Sequence, residues 1–518
     1  MKRRSFLKNS SAVTLPLLFN GMQLSALPHS RLFDFFRSEN DKVLVLIQLN
    51  GGNDGLNTLI PLDQYDQLAN ARPQVLVPEQ QTLKLNDTMA FHPSLNGFRD
   101  LYNNAKLGIV QSVGYPNQNR SHFRSMDIWQ SGSPADEFYA TGWLGRYFQQ
   151  DHPGFPENYP NAEQPHPFAI VMGSTVSETC QGTAANFSMT LDDPFSLNQL
   201  EGGSQGELPD TPYGRELSFL RTTIAQTNAY SEEIGQAAEK GATVVPYPAN
   251  NRLAQQLQTI ALLISGGLRT KVFIASLGGF DTHANQVIDG SPTTGLHAEL
   301  LQTLSESVAA FQRDLQQLGL EERVVGMTFS EFGRQIRANA SFGTDHGTAA
   351  PLFLFGSCIN PQVLGENPTI PNQVEVQEGV PMQYDFRDVY GSVLRDWFDV
   401  PESEVRQLLH PAFQYLPIIS DCNAVTDTEE LLPEQIQSRA FPNPFRSVCT
   451  IEFTLQEAAR TRISLFNSLG AELRVLTDQR LPAGKHQLRM EGQDLAPGPY
   501  YYRIMVNGRS RTQRLVRQ

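Results

Sequence analysis

The run Val43-Leu-Val-Leu-Ile-Gln-Leu-Asn50 limits what this chain can fold into more than any other stretch. It is almost continuously aliphatic and lacks the polar alternation of a strand with one face in water. Such a run fits a strand covered on both faces, deep in a layered α/β sheet. Gly51 and Gly52 end it, and Asn53-Asp54 follows on a loop. In open α/β sheets, ligands bind outside the carboxyl ends of the strands. Asp54 is therefore a candidate metal ligand, with an Asx turn or helix cap as its structural alternative.

The same alternation continues to about Leu416. Strands are expected at Leu107–Val113, Pro167–Val171, Lys271–Ser276, Arg323–Phe329 and Pro351–Phe355. Helices are expected over Leu95–Asn104, His122–Gln130, Leu253–Leu263, His297–Leu318 and Phe386–Phe398. Strands separated by helices predict a mostly parallel sheet between helices, here over residues 41–416. Residues 173–250, rich in Gly, Asn, Ser and Pro around a helical stretch near Pro212–Glu239, are expected as an insertion or cap. A linker follows at 421–438. Beyond it, short alternating strands punctuated by Gly470, Gly484, Gly498 and Gly508 predict a C-terminal antiparallel β-sandwich.

A length of 518 residues fits two or three units. The net charge of −14, with no basic massing in the main body, argues against a nucleic-acid partner. No run reaches the ~18 apolar residues of a membrane-spanning helix. The four cysteines are too scattered for a disulfide scaffold or a metal site. The N-terminus, Met1-Lys-Arg-Arg-Ser-Phe-Leu-Lys8 followed by a short apolar stretch, has export-signal anatomy over residues 1–30.

Several expected strands lead into acidic loops. One runs into Gly278-Gly279-Phe280-Asp281-Thr282-His283, another into Ser330-Glu331, and Asp345-His346 precedes the strand at Pro351. Parallel strands would bring Asp54, Asp281, His283, Glu331, Asp345 and His346 to one crevice as metal ligands. Clustered carboxylates repel one another, and a divalent cation removes that cost. The mixed oxygen and imidazole set suits zinc, manganese or iron, and with fewer imidazoles magnesium or calcium. One or two ions are expected, since a pair about 4 Å apart clamps both oxygens of a displacement at phosphorus. Asn119-Arg120-Ser121-His122 lies at a strand–helix junction, where free N–H groups attract anions. Ser121 is the candidate nucleophile or a simple N-cap, and Arg120 the candidate holder of an anionic oxygen. Arg146 and Arg334 are expected in structural pairing. His297 is expected to cap its helix or sit at the surface.

Seven ordered segments (Asn50–Pro61, Tyr115–Trp129, Gly142–Tyr147, Gly278–Gln286, Ser330–Arg334, Gly343–Pro351 and Asp385–Trp397) together resemble the bacterial domain of unknown function 1501 family. That family is placed in the alkaline phosphatase and sulfatase superfamily. The resemblance implies an alkaline-phosphatase-like sheet with metal at its strand ends. Asp54 resembles the first-strand metal aspartate, Ser121 falls at the nucleophile, and Asp281 and His283 fall near the Asp-and-His motif. Glu331 falls where an Asp-His pair ends a strand, and His346 resembles the late metal histidine. Three departures stand out. Asp281 and His283 are closer than Asp-x-x-x-His, Glu331-Phe332 replaces Asp-His, and the sulfatase Cys-x-Pro-x-Arg motif is absent.

Arg3-Arg4-Ser5-Phe6-Leu7-Lys8 resembles a twin-arginine signal, which implies that export machinery as a partner. Phe441-Pro-Asn-Pro-Phe445, Leu469-Gly470-Ala-Glu472, Gly484-Lys-His486 and Gly498-Pro-Tyr-Tyr-Tyr502 resemble the sorting domain of type IX secretion, over 439–518. That implies delivery to the cell surface or beyond. Together these features predict an exported metal-dependent hydrolase of phosphate or sulfate esters, acting on an anionic ester or glycan. The alternative is a non-catalytic surface binding protein that keeps the fold.

Overall fold

The aliphatic run forms strand β1 (Val43–Asn50), and Val43 through Ile47 are each no more than 1% exposed. In chain order, its sheet continues with β2 (Leu107–Gly114), β3 (Ala169–Met172), β4 (Ser188–Leu191), β5 (Val272–Gly278) and β6 (Val324–Phe329). It ends with β7 (Ala350–Phe355), β8 (Val363–Leu364) and β9 (Tyr384–Asp385). The computed structural model describes residues 41–420 and 438–517, apart from 198, 202–207, 456–457, 467–471, 494, 497 and 507–508. The twin-arginine segment, the linker to 437 and the Leu469-Gly470 part of the tail motif lie outside the described residues.

The nine strands run in the order β8-β2-β7-β6-β1-β5-β3-β4, with β9 also paired to β2. β1 lies parallel between β6 and β5, and Ile47 is level with Thr328 and Ala275. Only β7, among the described strands of this sheet, runs antiparallel to its neighbours β2 and β6. The sheet is thus mostly parallel, as the alternation predicts. The reversal of β7 has a consequence for the site. The loop that enters β7 lies at the same edge as the loops that leave β1, β5 and β6.

Helices cover both faces. The described helices of eight residues or more are α1 (Asn96–Asn103), α2 (His122–Ser131), α3 (Trp143–Asp151), α4 (Pro212–Lys240), α5 (Arg252–Ser265), α6 (Leu296–Gln317) and α7 (Phe386–Trp397). Leu301, Leu304, Val308, Phe311 and Leu315 recur at three- and four-residue spacing, so α6 presents one apolar stripe. That stripe joins Val43, Val45, Ile47 and Leu49 in one core with α1 and α5. The opposite face is aromatic. Trp129 of α2 stacks on Phe386 of α7 at 4.5 Å, and Trp143 of α3 on Tyr390 at 4.4 Å. The Trp397 indole donates to the Val43 carbonyl at 3.1 Å. α3 was not expected from the pattern.

Part of residues 173–250 belongs to the sheet rather than to a cap: β4 pairs parallel with β3, Ile170 level with Met189. The short stretch Ser188–Leu191 carries little apolar pattern, which is why it reads as loop. No described helix is long and apolar enough to cross a membrane.

The C-terminal residues form a separate unit with two antiparallel sheets. One joins β10 (Ser438–Phe441), β11 (Val448–Leu455) and β14 (Gly484–Glu491). The other joins β12 (Ala459–Phe466), β13 (Glu472–Leu481), β15 (Gly498–Val506) and β16 (Arg509–Arg517). Ile451, Phe453, Ile463, Leu465, Tyr502 and Ile504 alternate inward to make a shared core. Cys358 is disulfide-bonded, and Cys180 and Cys449 are buried free thiols.

Candidate metal centre

The loops at the carboxyl edge are drawn together by glycine contacts and one arginine. Gly51 has φ +120°, and a Cβ there would strike the backbone of Phe280 and Asp281. Only glycine allows the loop after β1 to lie directly on the loop after β5. Arg334 is buried. Its guanidinium donates to the carbonyls of Gly52 at 2.7 Å, Phe280 at 2.8 Å and Thr344 at 2.9 Å, and also to that of Gly51. A further bond reaches Asp281 Oδ1 at 2.8 Å. One planar fork therefore fixes the loops after β1 and β5 to the β6–β7 loop that carries it.

Three imidazoles converge on Asp281. The Nε2 atoms of His283 and His346 each lie 3.1 Å from Asp281 Oδ1, and that of His122 lies 3.4 Å away. The His283 and His346 Nε2 atoms are 2.8 Å apart. The ligand atoms of His122, Asp281 and His346 all lie within 4.8 Å of one another. Every Nδ1 is engaged: His122 with Glu331 Oε1 at 2.7 Å, His283 with Asp345 Oδ1 at 2.8 Å, and His346 with the Arg120 carbonyl at 2.8 Å. These partners only accept hydrogen bonds, so each Nδ1 carries a proton and each Nε2 faces inward, where it is a lone pair whenever the ring is neutral. In that form the Nε2 lone pairs of His122 and His346 and the Asp281 carboxylate repel unless a cation stands among them, with His283 beside them. The His122 Nε2 is buried with no hydrogen-bond partner.

The donor set therefore fits a divalent metal. Three nitrogens and one oxygen suit zinc, and fewer ligands than six suit magnesium or calcium poorly. Phe332 packs against both the His122 and His346 rings, with centroids 4.9 and 4.7 Å away, giving the cluster an apolar wall. Partial burial opposes ionisation of Asp281, yet the hydrogen bond and the charge of the Arg334 guanidinium hold its carboxyl down at about 2. The Glu331 hydrogen bond raises the His122 pKa, while burial lowers that of His346. The cluster opens on a cleft of about 510 Å³ that includes Gly51, Phe123, Met126 and Glu178.

Residues 41–383, about two-thirds of the chain, match the family described as Protein of unknown function (DUF1501). The chain belongs to that family. Residues 439–518 match the secretion system C-terminal sorting domain, which directs export by the type IX route to the cell surface or extracellular space. No curated protein matches. Among solved structures, this DUF1501 chain is similar to an alkaline phosphatase superfamily protein from Vibrio parahaemolyticus (8% identity, 80% of this chain and 76% of that one, TM-score 0.30). It is also similar to a candidate sulfatase from Bacteroides fragilis (9% identity, 89% and 91%, TM-score 0.31). A third is the alkaline phosphatase of the Antarctic bacterium TAB5 (10% identity, 61% and 91%, TM-score 0.25).

Of the six ligands expected in this DUF1501 chain, Asp281, His283 and His346 come together. The other three have different partners. Asp54 is 1% exposed, and both its oxygens lie 2.9 Å from Arg72 Nη1. Gln286 donates to Asp54 Oδ2 at 2.6 Å, so the carboxylate is occupied. Burial opposes its ionisation, but the Arg72 charge outweighs that and lowers the pKa. Glu331 and Asp345 stand behind His122 and His283 rather than beside the ion position.

Arg120 gives its Nη1 to the Gln377 carbonyl at 2.7 Å. Ser121 occupies the N-cap of α2, exposed, with no capping bond from its hydroxyl. Arg146 binds the Leu408, Thr141 and Ser131 carbonyls. His297 is neither cap nor surface: its Nε2 lies 3.0 Å from Asn53 Oδ1, and burial pushes its pKa down to about 4. His122 is the ligand that sequence reasoning missed. The available signal was its place in the first turn of a helix that follows a strand of the same edge.

Proposed function

We propose that this DUF1501 protein is an exported, metal-dependent hydrolase of phosphate or sulfate esters. One observation carries the reading: three imidazoles, each with Nδ1 held by an acceptor, turn their Nε2 atoms toward the Asp281 carboxylate. A divalent cation held by His122, Asp281, His283 and His346 supplies Lewis-acid polarisation of an ester oxygen. The chain's own groups do the rest. Free N–H groups at the start of α2 favour an anionic group beside His122. Ser121 supplies the attacking oxygen. Its bond to phosphorus or sulfur forms as the ester oxygen departs with the alcohol, and water then frees the serine. Phe123, 91% exposed in the same cleft, offers an apolar surface to the rest of the substrate.

Metal analysis of the full chain, with a screen of aryl phosphate, phosphodiester and aryl sulfate esters, tests this. Stoichiometric metal and turnover that falls at least about 100-fold in Ser121→Ala are expected. Bound metal without turnover on any ester class defeats the hydrolase reading. That result would favour a non-catalytic glycan-binding role, for which the engagement of Arg120 by a carbonyl already speaks.

A further inference from the structure

One carboxylate in the metal cleft is left without a partner. Asp127, Glu178, Asp281 and Glu331 line that cleft, and no lysine or arginine is among the described residues that do. Three of the four acids are committed. Asp127 is paired with Arg124, whose Nη2 donates to the carbonyls of Pro134 at 3.2 Å and Ala135 at 3.1 Å. Asp281 takes Arg334 and the imidazoles, and Glu331 takes His122 Nδ1 and the Gly51 N–H, the latter at 2.8 Å. Glu178 is exposed, and its carboxylate has no hydrogen bond or ion pair among the described residues.

The backbone that presents Glu178 is fixed in place. Glu178 opens a short helical turn, Glu178–Cys180, that packs against α2. The Ser177 hydroxyl accepts from the Thr179 N–H at 3.2 Å, and Asn186 donates to the Ser177 carbonyl at 2.9 Å. Gly142 lies so close that a Cβ there would strike the Glu178 and Thr179 carbonyls. Phe123 and Met126, three positions apart on α2, share a helix face and line the same cleft. Phe123 is 91% exposed, so its ring face is open to a ligand. A carboxylate and an aromatic face both attract a compact cation, and neither holds an anion.

We infer that the ester handled in this cleft carries an ammonium group, held by Glu178 and the Phe123 ring. The inference rests on the hydrolase reading for the ester itself. The anionic phosphoryl or sulfuryl group lies at the metal position beside His122, and the positive end of the same molecule lies at Glu178. A trimethylammonium group suits the pair better than a primary amine. Its methyl groups cover the Phe123 and Met126 surfaces, and its charge requires no donor geometry at the carboxylate.

The test uses the full chain, loaded with zinc and carrying Ser121→Ala, so that binding is read without turnover. Two 4-nitrophenyl phosphodiesters are compared by calorimetry. One is the ester of choline and the other that of 3,3-dimethylbutanol, which keeps the shape and lacks the charge. The choline ester is expected to bind about tenfold tighter. Glu178→Gln and Phe123→Leu, both at exposed positions, are each expected to cut that preference to about twofold. Vesicles of phosphatidylcholine, offered alongside, tell a lipid headgroup from a soluble ester: retention on them that Glu178→Gln reduces supports the former, and the diester preference without retention supports the latter. Equal binding of the two esters, binding of neither, or a preference that survives both changes would overturn the inference. Nitrophenolate release by the parent chain separates the two claims. Turnover of both esters with equal binding leaves the hydrolase and removes the ammonium site, whereas a charge preference in binding with no turnover of any ester leaves the ammonium site and removes the hydrolase.

Discussion

Two loops of this protein share the pattern glycine-glycine-x-aspartate: Gly51-Gly52-Asn53-Asp54 after β1 and Gly278-Gly279-Phe280-Asp281 after its neighbour β5. Their aspartates end in opposite circumstances. Asp54 is buried against Arg72 and does the work of a tie. Asp281, with 48% of its side chain exposed, faces three imidazoles. The motif delivers a carboxylate to the edge of the sheet in both cases. What lies opposite, guanidinium or imidazole, decides whether it holds the fold or a ligand.

Removing the guanidinium should break that contrast most severely. Arg72→Ala leaves Asp54 buried and unpaired, with an expected loss of about 3–5 kcal/mol in urea unfolding. If the loss stays under 1 kcal/mol, Asp54 is not the structural member of the pair. Acid should expose the same region. His297, beside Asp54, is held neutral with a pKa near 4, against about 6.5 when unfolded. Its contribution is fully present above pH 6.5 and is lost as pH falls toward 4, roughly 3 kcal/mol in all. His297→Gln should flatten that part of the stability–pH curve.

On the Asp281 side the response should be in metal rather than in folding. His346→Ala is expected to weaken zinc binding more than about 100-fold, measured by competition with a chelator, with unfolding changed by about 1 kcal/mol or less. Glu331→Gln keeps the shape but weakens the acceptor behind His122, so a loss of about tenfold is expected. Equal metal affinity in Glu331→Gln and the parent would show that the Glu331–His122 bond does not tune the site.

The sheet was legible because buried strands such as Val43–Leu49 and Val324–Phe329 are continuous in aliphatic character, and helices such as Leu296–Gln317 carry an apolar stripe. The edge where chemistry collects followed from topology. The roles within it did not, because sequence gives residue types and not the direction of individual atoms. Glu331 and Asp345 read as ligands since a carboxylate can bind a metal, but the same oxygens serve equally to receive an Nδ1 proton. Arg72 reaches Asp54 from eighteen positions further along, past two short helices and a strand, and no spacing rule announces it. His122 was hidden by its neighbour Ser121, which drew the functional reading to itself.

Arg334 joins three loops through four backbone carbonyls, atoms that every amino acid possesses. Gly51 and Gly52 are held by close packing, but the side chains at Phe280 and Thr344 play no part in the bonds to Arg334, whereas the arginine itself cannot change. A scaffold of that kind lets surface positions such as Phe123 drift toward new substrates as the ion's seat stays constant, and its entropy of assembly is met during folding, before any visitor arrives.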